Sequence, residues 1–333
     1  MKSHTRKLPV LPVILFVALA SVPLLASWLN DPFMIRIFTR ILLLGVAAMG
    51  LNLILGFGGF VSLMHAAFFG LGGYVVAIMA HHEMYAEPLF GFIPGSSSLA
   101  LTIPAAVVVT ALFAILSGIV SMRTAGAFFI MITLAFNQMV FYLFVALQEY
   151  GGEDGLQILM PVNLFGLDPA NRTSFYYVCL ALAGLTWFGL SRIVNSKFGM
   201  VLRGIAQNEG RIRAIGIEPM RYKLTAFVLS AVIVAVAGAL SVASQGFVSP
   251  ADLAWTRSGE LVIMAVIGGI TTVGGPLIGA AIFILLEFFI SDLTIYWQLP
   301  FGLLIVFMAA FCPKGLANLP IPLRNFWMRP RHA

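Results

Sequence analysis

The chain has 333 residues, of which 60% are apolar and only 10% charged, with a mean hydropathy of +1.00 and a formal charge of +6. That composition excludes a water-soluble fold and makes the bilayer the solvent to reason with. An isoelectric point near 9.5 does not indicate a nucleic-acid partner here, because the basic residues follow membrane topology.

In lipid every backbone amide must be paired within the chain, so helices of roughly 20 residues are expected; the ten-residue alternation of a membrane barrel is absent. Ten apolar runs qualify: 10–29, 35–55, 61–80, 99–122, 125–147, 175–194, 224–245, 255–271, 276–290 and 297–311. The first follows Lys2, Arg6 and Lys7 and contains Ala18-Leu19-Ala20, as a signal peptide would. Pro9, Pro12 and the continuation to Leu29 favour a retained helix. Runs 255–271 and 276–290 are short and either span or partly re-enter. Gly268, Gly269, Gly274, Gly275 and Gly279 cluster there around Pro276, which suggests a break between two short helices; Gly275 and Gly279 have close-packing spacing. Gly70, Gly72 and Gly73 form a second cluster, read as packing.

Ten crossings place both termini on one face. The N-terminus, the turn at Arg123, the segment from Arg192 to Lys223 and the tail from Lys314 hold 15 of the 19 Lys and Arg. The opposite face carries acids, including Asp31, Glu149, Glu153, Asp154, Asp252 and Asp292, with Arg172 as its clear loop cation. The positive-inside rule therefore predicts that both termini are cytoplasmic. The acidic stretch 149–173 reads as a flexible external loop or as a docking site for an external protein.

Polar residues within spans are costly in hydrocarbon and are expected to face the bundle interior: Asn52, Ser62, His65, Thr133, Asn137, Gln138 and Glu287. Asn52, Ser62, His65, Asn137 and Glu287 are the candidates for a translocation pathway, although packing is the favoured role for His65. Glu287 reads as the one deeply placed acid; it pairs with Arg36 or Arg40, is protonated, or lines a cavity. Asn137 and Gln138 are adjacent, so at most one faces a pathway. Cys179 and Cys312 lie far apart in apolar surroundings, with no metal or redox spacing.

One polar island, 197–223, interrupts the apolar pattern and holds six basic residues. Within it, 202–216 reads as a short surface helix. Leu202, Ile205, Ala206 and Ile212 suit a partner or the bilayer, while Arg203, Gln207, Asn208, Glu209 and Arg213 project elsewhere. Gly216 suits a left-handed cap, with Pro219 preventing continuation. An anchor loop is the plainer alternative.

The order Leu202-Arg203-x-Ile205-x-x-Asn208-Glu209, then Ala214-x-Gly216-Ile217 and Arg221-Tyr222-Lys223-Leu224-x-Ala226-Phe227, resembles the coupling segment of branched-chain amino acid ABC-transporter permeases, the LivM-like group. Gly50-Leu51-Asn52-Leu53-Ile54-Leu55-Gly56, Ser62-Leu63-x-His65-Ala66-Ala67-Phe68-Phe69-Gly70, Gly275-Pro276-x-x-Gly279-Ala280 and Pro313-x-Gly315-Leu316 extend the likeness in order along residues 45–316. The resemblance implies an all-α polytopic membrane protein with about ten transmembrane helices and short broken or re-entrant segments. It implies a single permease domain over 1–333, containing a cytoplasmic coupling segment at 197–223 where Arg203, Asn208, Glu209, Arg213 and Gly216 link to an ATPase. It further implies a bacterial inner-membrane importer subunit for branched-chain or related small amino acids. Its partners would be a homologous permease, two cytoplasmic ATPases, a periplasmic solute-binding protein and membrane lipid.

No cofactor or metal is expected on this chain. None of the five lysines follows glycine, so there is no phosphate loop and ATP would be bound by partner subunits. Alternatives are the same importer class carrying urea, amides or aromatic acids, or an ion-driven secondary transporter, which would usually carry more acids within its spans. A membrane enzyme ranks last, because no nucleophile–base pairing is evident.

Overall fold

A computed structural model describes residues 10–311 apart from 30, 87, 90, 92–93, 159–170, 294–295 and 297. Ten helices answer the ten predicted spans: α1 (Val10–Leu29), α2 (Pro32–Asn52), α3 (His65–Met84), α4 (Leu99–Ser121), α5 (Ala127–Ala146), α6 (Arg172–Val194), α9 (Pro219–Gln245), α10 (Trp255–Gly268), α11 (Gly275–Leu293) and α12 (Gln298–Phe311). Two short helices, α7 (Lys197–Gln207) and α8 (Glu209–Ala214), occupy the polar island. The fold is all-α and polytopic. Both termini, Cys312 and the Pro313–Leu316 motif lie outside the described residues.

Local chemistry sets the helix limits. The Asp31 carboxylate accepts from Phe33 N (3.0 Å) ahead of Pro32, a capped start with proline at the first position. Pro219 opens α9, and Gly246, at φ +68, closes it in the left-handed region. Several boundaries shift by up to five residues, α9 starting at Pro219 and not at 224 among them, and two of the differences bear on the site. The third helix starts at His65, not at 61, because a π-helical turn (Leu53–Phe57) and an extended stretch precede it. The expected helix over 202–216 is broken at Asn208, whose side chain caps α8 by accepting from Arg211 N (3.0 Å).

α3 and α9 form the most extensive helix pair, with α2 and α4 flanking α9. Small residues bring the pair together: a Cβ at Gly72 would fall on Ala235 O, and one at Gly238 on Phe69 O. Without a hydrophobic drive between helices in lipid, such backbone approach is the main source of packing energy. His65, Phe68 and Phe227 fill the same seam with edge-on rings 5.4–6.1 Å apart.

α10 and α11 make the second tight pair. Cβ atoms at Gly275 and Gly279 would strike Gly269 O and Met264 O, as the glycine spacing led one to expect. Six helical stretches are long and apolar enough to cross a membrane by length and composition, 275–292 among them. α11 is therefore long and apolar enough to span by itself. α10 has 14 residues, about 21 Å, which is short of the roughly 30 Å hydrocarbon core. Among the described residues, a two-residue antiparallel pair, β1 (Leu156–Gln157) with β2 (Phe247–Val248), lies at the end of the bundle opposite α7 and α8.

Gly238→Val is expected to prise α3 from α9 and abolish a monodisperse folded peak in detergent. Gly189→Ala, where a Cβ meets nothing within 4 Å, should leave that peak and the melting temperature unchanged.

Candidate functional site

The chain between α2 and α3 gives up helix inside the bundle. Gly59 lies against Ala206 of α7, Phe60 packs edge-on to Phe129 near the start of α5 at 5.6 Å, and Leu63 has climbed to Thr133. α3 then begins level with Asn137, halfway along α5. The open helix start exposes backbone N–H groups that lipid cannot satisfy. Leu63 N donates to Thr133 Oγ1 (3.2 Å), Met64 N to Ser62 Oγ (3.3 Å), Ala66 N to Ser258 Oγ (2.8 Å) and Ala67 N to Asn137 Oδ1 (2.9 Å).

The same side chains reach onward. Ser258 Oγ donates to Leu63 O (2.8 Å) and Asn137 Nδ2 to Leu253 O (2.9 Å), so the start of α10 is fastened to the start of α3. Ser230 Oγ donates its one proton to Gly50 O (2.6 Å). It therefore accepts from His65 Nε2–H (2.8 Å), which ties α3, α9 and α2 together. Asn52 Nδ2 donates to Thr272 O (3.0 Å) in the α10–α11 turn.

At the opposite end from β1 and β2, α7 turns Leu202 and Ile205 into the bundle, not towards a partner, and Ile212 lies against Gly204. Arg203, Arg211 and Arg213 stay exposed. Glu209 pairs with Arg213 (2.8 Å) and with Lys223, fastening α8 to the first turns of α9. Partial burial pushes the Glu209 carboxyl up, but hydrogen bonds and charge from Lys223 and Arg213 outweigh that and hold it below its ordinary 4.5. Gly216 has φ +83 with open space around it, the left-handed geometry read from the sequence.

A cavity of ≈ 860 Å³ opens at the end away from α7 and α8, between α2, α6, α9 and α11. Arg36, Arg40, Arg172, Arg257, Asp252 and Glu287 line it. Glu287 meets Arg40 at 3.1 Å, one of the alternatives left open by the sequence, and also lines the cavity, which was another. Arg257 bridges Asp252 (3.0 Å) and Glu260 (2.7 Å). Of the five pathway candidates, Glu287 alone lines this cavity. Asn52, Ser62, His65 and Asn137 are buried, the last three fastening the α3 start and Asn52 the α10–α11 turn. On the same face the 149–158 stretch is an ordered structure. Tyr150 OH lies 3.0 Å from His82 Nε2 and β1 pairs with β2, while Glu149, Glu153 and Asp154 remain exposed. The part of that loop at 159–170 lies outside the described residues.

The model of the family described as "Branched-chain amino acid transport system / permease component" matches residues 33–309. The chain belongs to that family. This permease is 28% identical over 320 residues to the high-affinity branched-chain amino acid transport system permease protein LivM of Salmonella typhimurium strain LT2, covering 87% of this chain and 72% of that protein. It is 27% identical to LivM of Escherichia coli K12 with the same coverage. It is 24% identical over 288 residues to BraD of Pseudomonas aeruginosa, covering 82% of this chain and 91% of that one. No solved structure matches.

Two features of the permease escaped the sequence reading. Glu287 is not the one deeply placed acid, because Glu260 lies in α10, part-buried beside Arg257. The run Trp255-Thr256-Arg257-Ser258-Gly259-Glu260 carried the signal: two opposite charges three residues apart at a helix start. The role of Ser258 as a cap was not visible, since its partners Leu63 and Ala66 are far away in sequence.

Asn137→Leu should orphan Ala67 N–H and Leu253 C=O at a cost of about 1–3 kcal/mol each, read as a large fall in melting temperature. Glu209 gives a pH signature. A carboxyl held below its unfolded value stabilises above that value and loses the contribution as pH falls through the folded value. Amide protection over 209–214 should hold from neutral to about pH 4.5 and decline below it. In Glu209→Gln it should be weak throughout, without the step.

Proposed function

We propose that this permease is one half of the membrane pathway of a bacterial ATP-driven importer for branched-chain or closely related small amino acids. The observation that carries the reading is the construction of the α7–α8 segment. Its apolar residues Leu202 and Ile205 are spent on the bundle, while Arg203, Asn208 and Arg213 stand exposed beside the capped turn at Gly216. An anchor loop has no need of a charged helix locked in place by Glu209 and Lys223. A segment that receives force from a cytoplasmic engine does, because a docked partner can move the bundle only through a rigid handle. The absence of a phosphate loop in the sequence fits ATP bound on separate ATPase subunits, of which two would serve this chain and a homologous permease.

In this reading the α7–α8 end and both termini are cytoplasmic, as the charge asymmetry indicates. The cavity end faces outward, where a periplasmic solute-binding protein delivers its cargo. Amino acids of the branched-chain class are the cargo in the names of the relatives, and the same class is proposed here.

Cysteines placed at positions 153 and 213 should react with a membrane-impermeant maleimide from opposite faces; reaction from the same face refutes the orientation. In proteoliposomes with the partner subunits, Arg203→Glu and Gly216→Val should leave complex expression near normal and abolish uptake. Removing one partner of an interfacial charge pair costs roughly 2–5 kcal/mol, and a β-branched residue resists positive φ. Unchanged uptake in both variants would reduce the segment to an anchor.

A further inference from the structure

Of the 19 Lys and Arg in the sequence, 15 fall in segments that the charge asymmetry assigns to the cytoplasmic face. The remaining four are Arg36, Arg40, Arg172 and Arg257, and all four line the cavity at the opposite end. Basic residues are otherwise kept away from that side, so their convergence on one cavity from α2, α6 and α10 is not a by-product of topology.

The charges in the wall do not balance. Its two carboxylates are both taken: Asp252 by Arg257 at 3.0 Å and Glu287 by Arg40 at 3.1 Å. Arg36 and Arg172 have no carboxylate partner among the described residues, and both are exposed at the cavity mouth. Arg36 stands one turn from Arg40 on the same face of α2, across from Glu287 and Ser291, which are one turn apart on α11. Arg40 thus takes Glu287, and the positive charge of Arg36 has no carboxylate against it among the described residues. Next to it, Phe33 and Phe288 close an apolar wall with ring centroids 5.6 Å apart. A planar guanidinium donates paired N–H bonds to a carboxylate, and an apolar body fits the adjoining rings.

We propose that this cavity is a binding site for the carboxylate of the imported solute. Arg36 and Arg172 take the carboxylate, and the Phe33–Phe288 wall takes the apolar side chain. The inference rests on the importer reading and adds a recognition site within this one chain, on the entry side.

The complete transporter in nanodiscs of zwitterionic lipid, without its solute-binding protein, provides the test by saturation-transfer NMR. The probes are L-leucine and L-leucinamide, the latter keeping side chain and ammonium but lacking the carboxylate. Wild type should bind leucine saturably and leucinamide not at all. Arg36→Gln with Arg172→Gln should weaken leucine binding by roughly tenfold or more, as expected for lost charge-assisted hydrogen bonds. Arg36→Lys with Arg172→Lys should recover part of it through charge alone, which a merely structural role would not predict.

Equal binding of the amide and the acid, or leucine binding by the glutamine double variant at wild-type strength, overturns the site. So does loss of phosphatidylglycerol retention in that variant when wild type binds no leucine, which marks a lipid-headgroup site. ATP-driven leucine uptake by the wild-type importer with its binding protein is measured in parallel. Uptake without leucine binding in the cavity defeats this inference and leaves the importer reading intact; absence of both defeats both.

Discussion

The structure depends on how a broken helix is satisfied inside a membrane. Between Gly58 and Met64 the chain runs non-helically through the bundle, and α3 starts beside the middle of α5 with its first amides open. Hydrocarbon offers those amides nothing, and each one left unpaired would be destabilising. Thr133, Ser62, Ser258 and Asn137 supply the missing acceptors. These side chains come from α5, α10 and the broken stretch itself, so capping α3 also fixes where the other two helices stand. The polar residues are thus the joints of the fold, and their burial follows from that task.

Close packing is the complement of this polar knot. α3 runs along α9 with glycine against backbone at Gly72 and Gly238, and α10 meets α11 in the same way at Gly268, Gly275 and Gly279. These contacts leave no slack for local adjustment. A displacement of α9 must be shared by α3, and through Ser258 and Asn137 by α10. Such coupling suits a molecule pushed at one end and required to respond at the other. The push would enter through α8, which Glu209 clamps to the start of α9.

Charge is segregated along the same axis. The α7–α8 end carries exposed arginines on a rigid support, whereas the far end gathers its few arginines into one cavity with two carboxylates already paired. In the importer reading, the first arrangement would present charge to a macromolecular partner. The second concentrates it where a small solute would arrive, and the two are joined by α9, which runs from one to the other.

The order and type of the ten apolar helices were readable from the sequence, because a span of apolar residues has one stable solution in lipid. The left-handed turn at Gly216 was equally local, since glycine followed by a proline leaves few alternatives, and Lys223 and Glu209 already stood in one polar island. The family likeness rested on short motifs preserved in order. Tertiary structure decided what the buried polar residues do. Asn137 caps Ala67 and holds Leu253, and Ser258 serves residues nearly two hundred positions away; a period or a motif carries no information about such partners. It also decided that helix begins at 65, because the choice between helix and extended chain over 58–64 was made by acceptors on other helices. The gathering of Arg36, Arg40, Arg172 and Arg257 into one cavity was fixed last, by helix packing of which the sequence had offered only the pairing of Glu287 with Arg36 or Arg40 as one alternative.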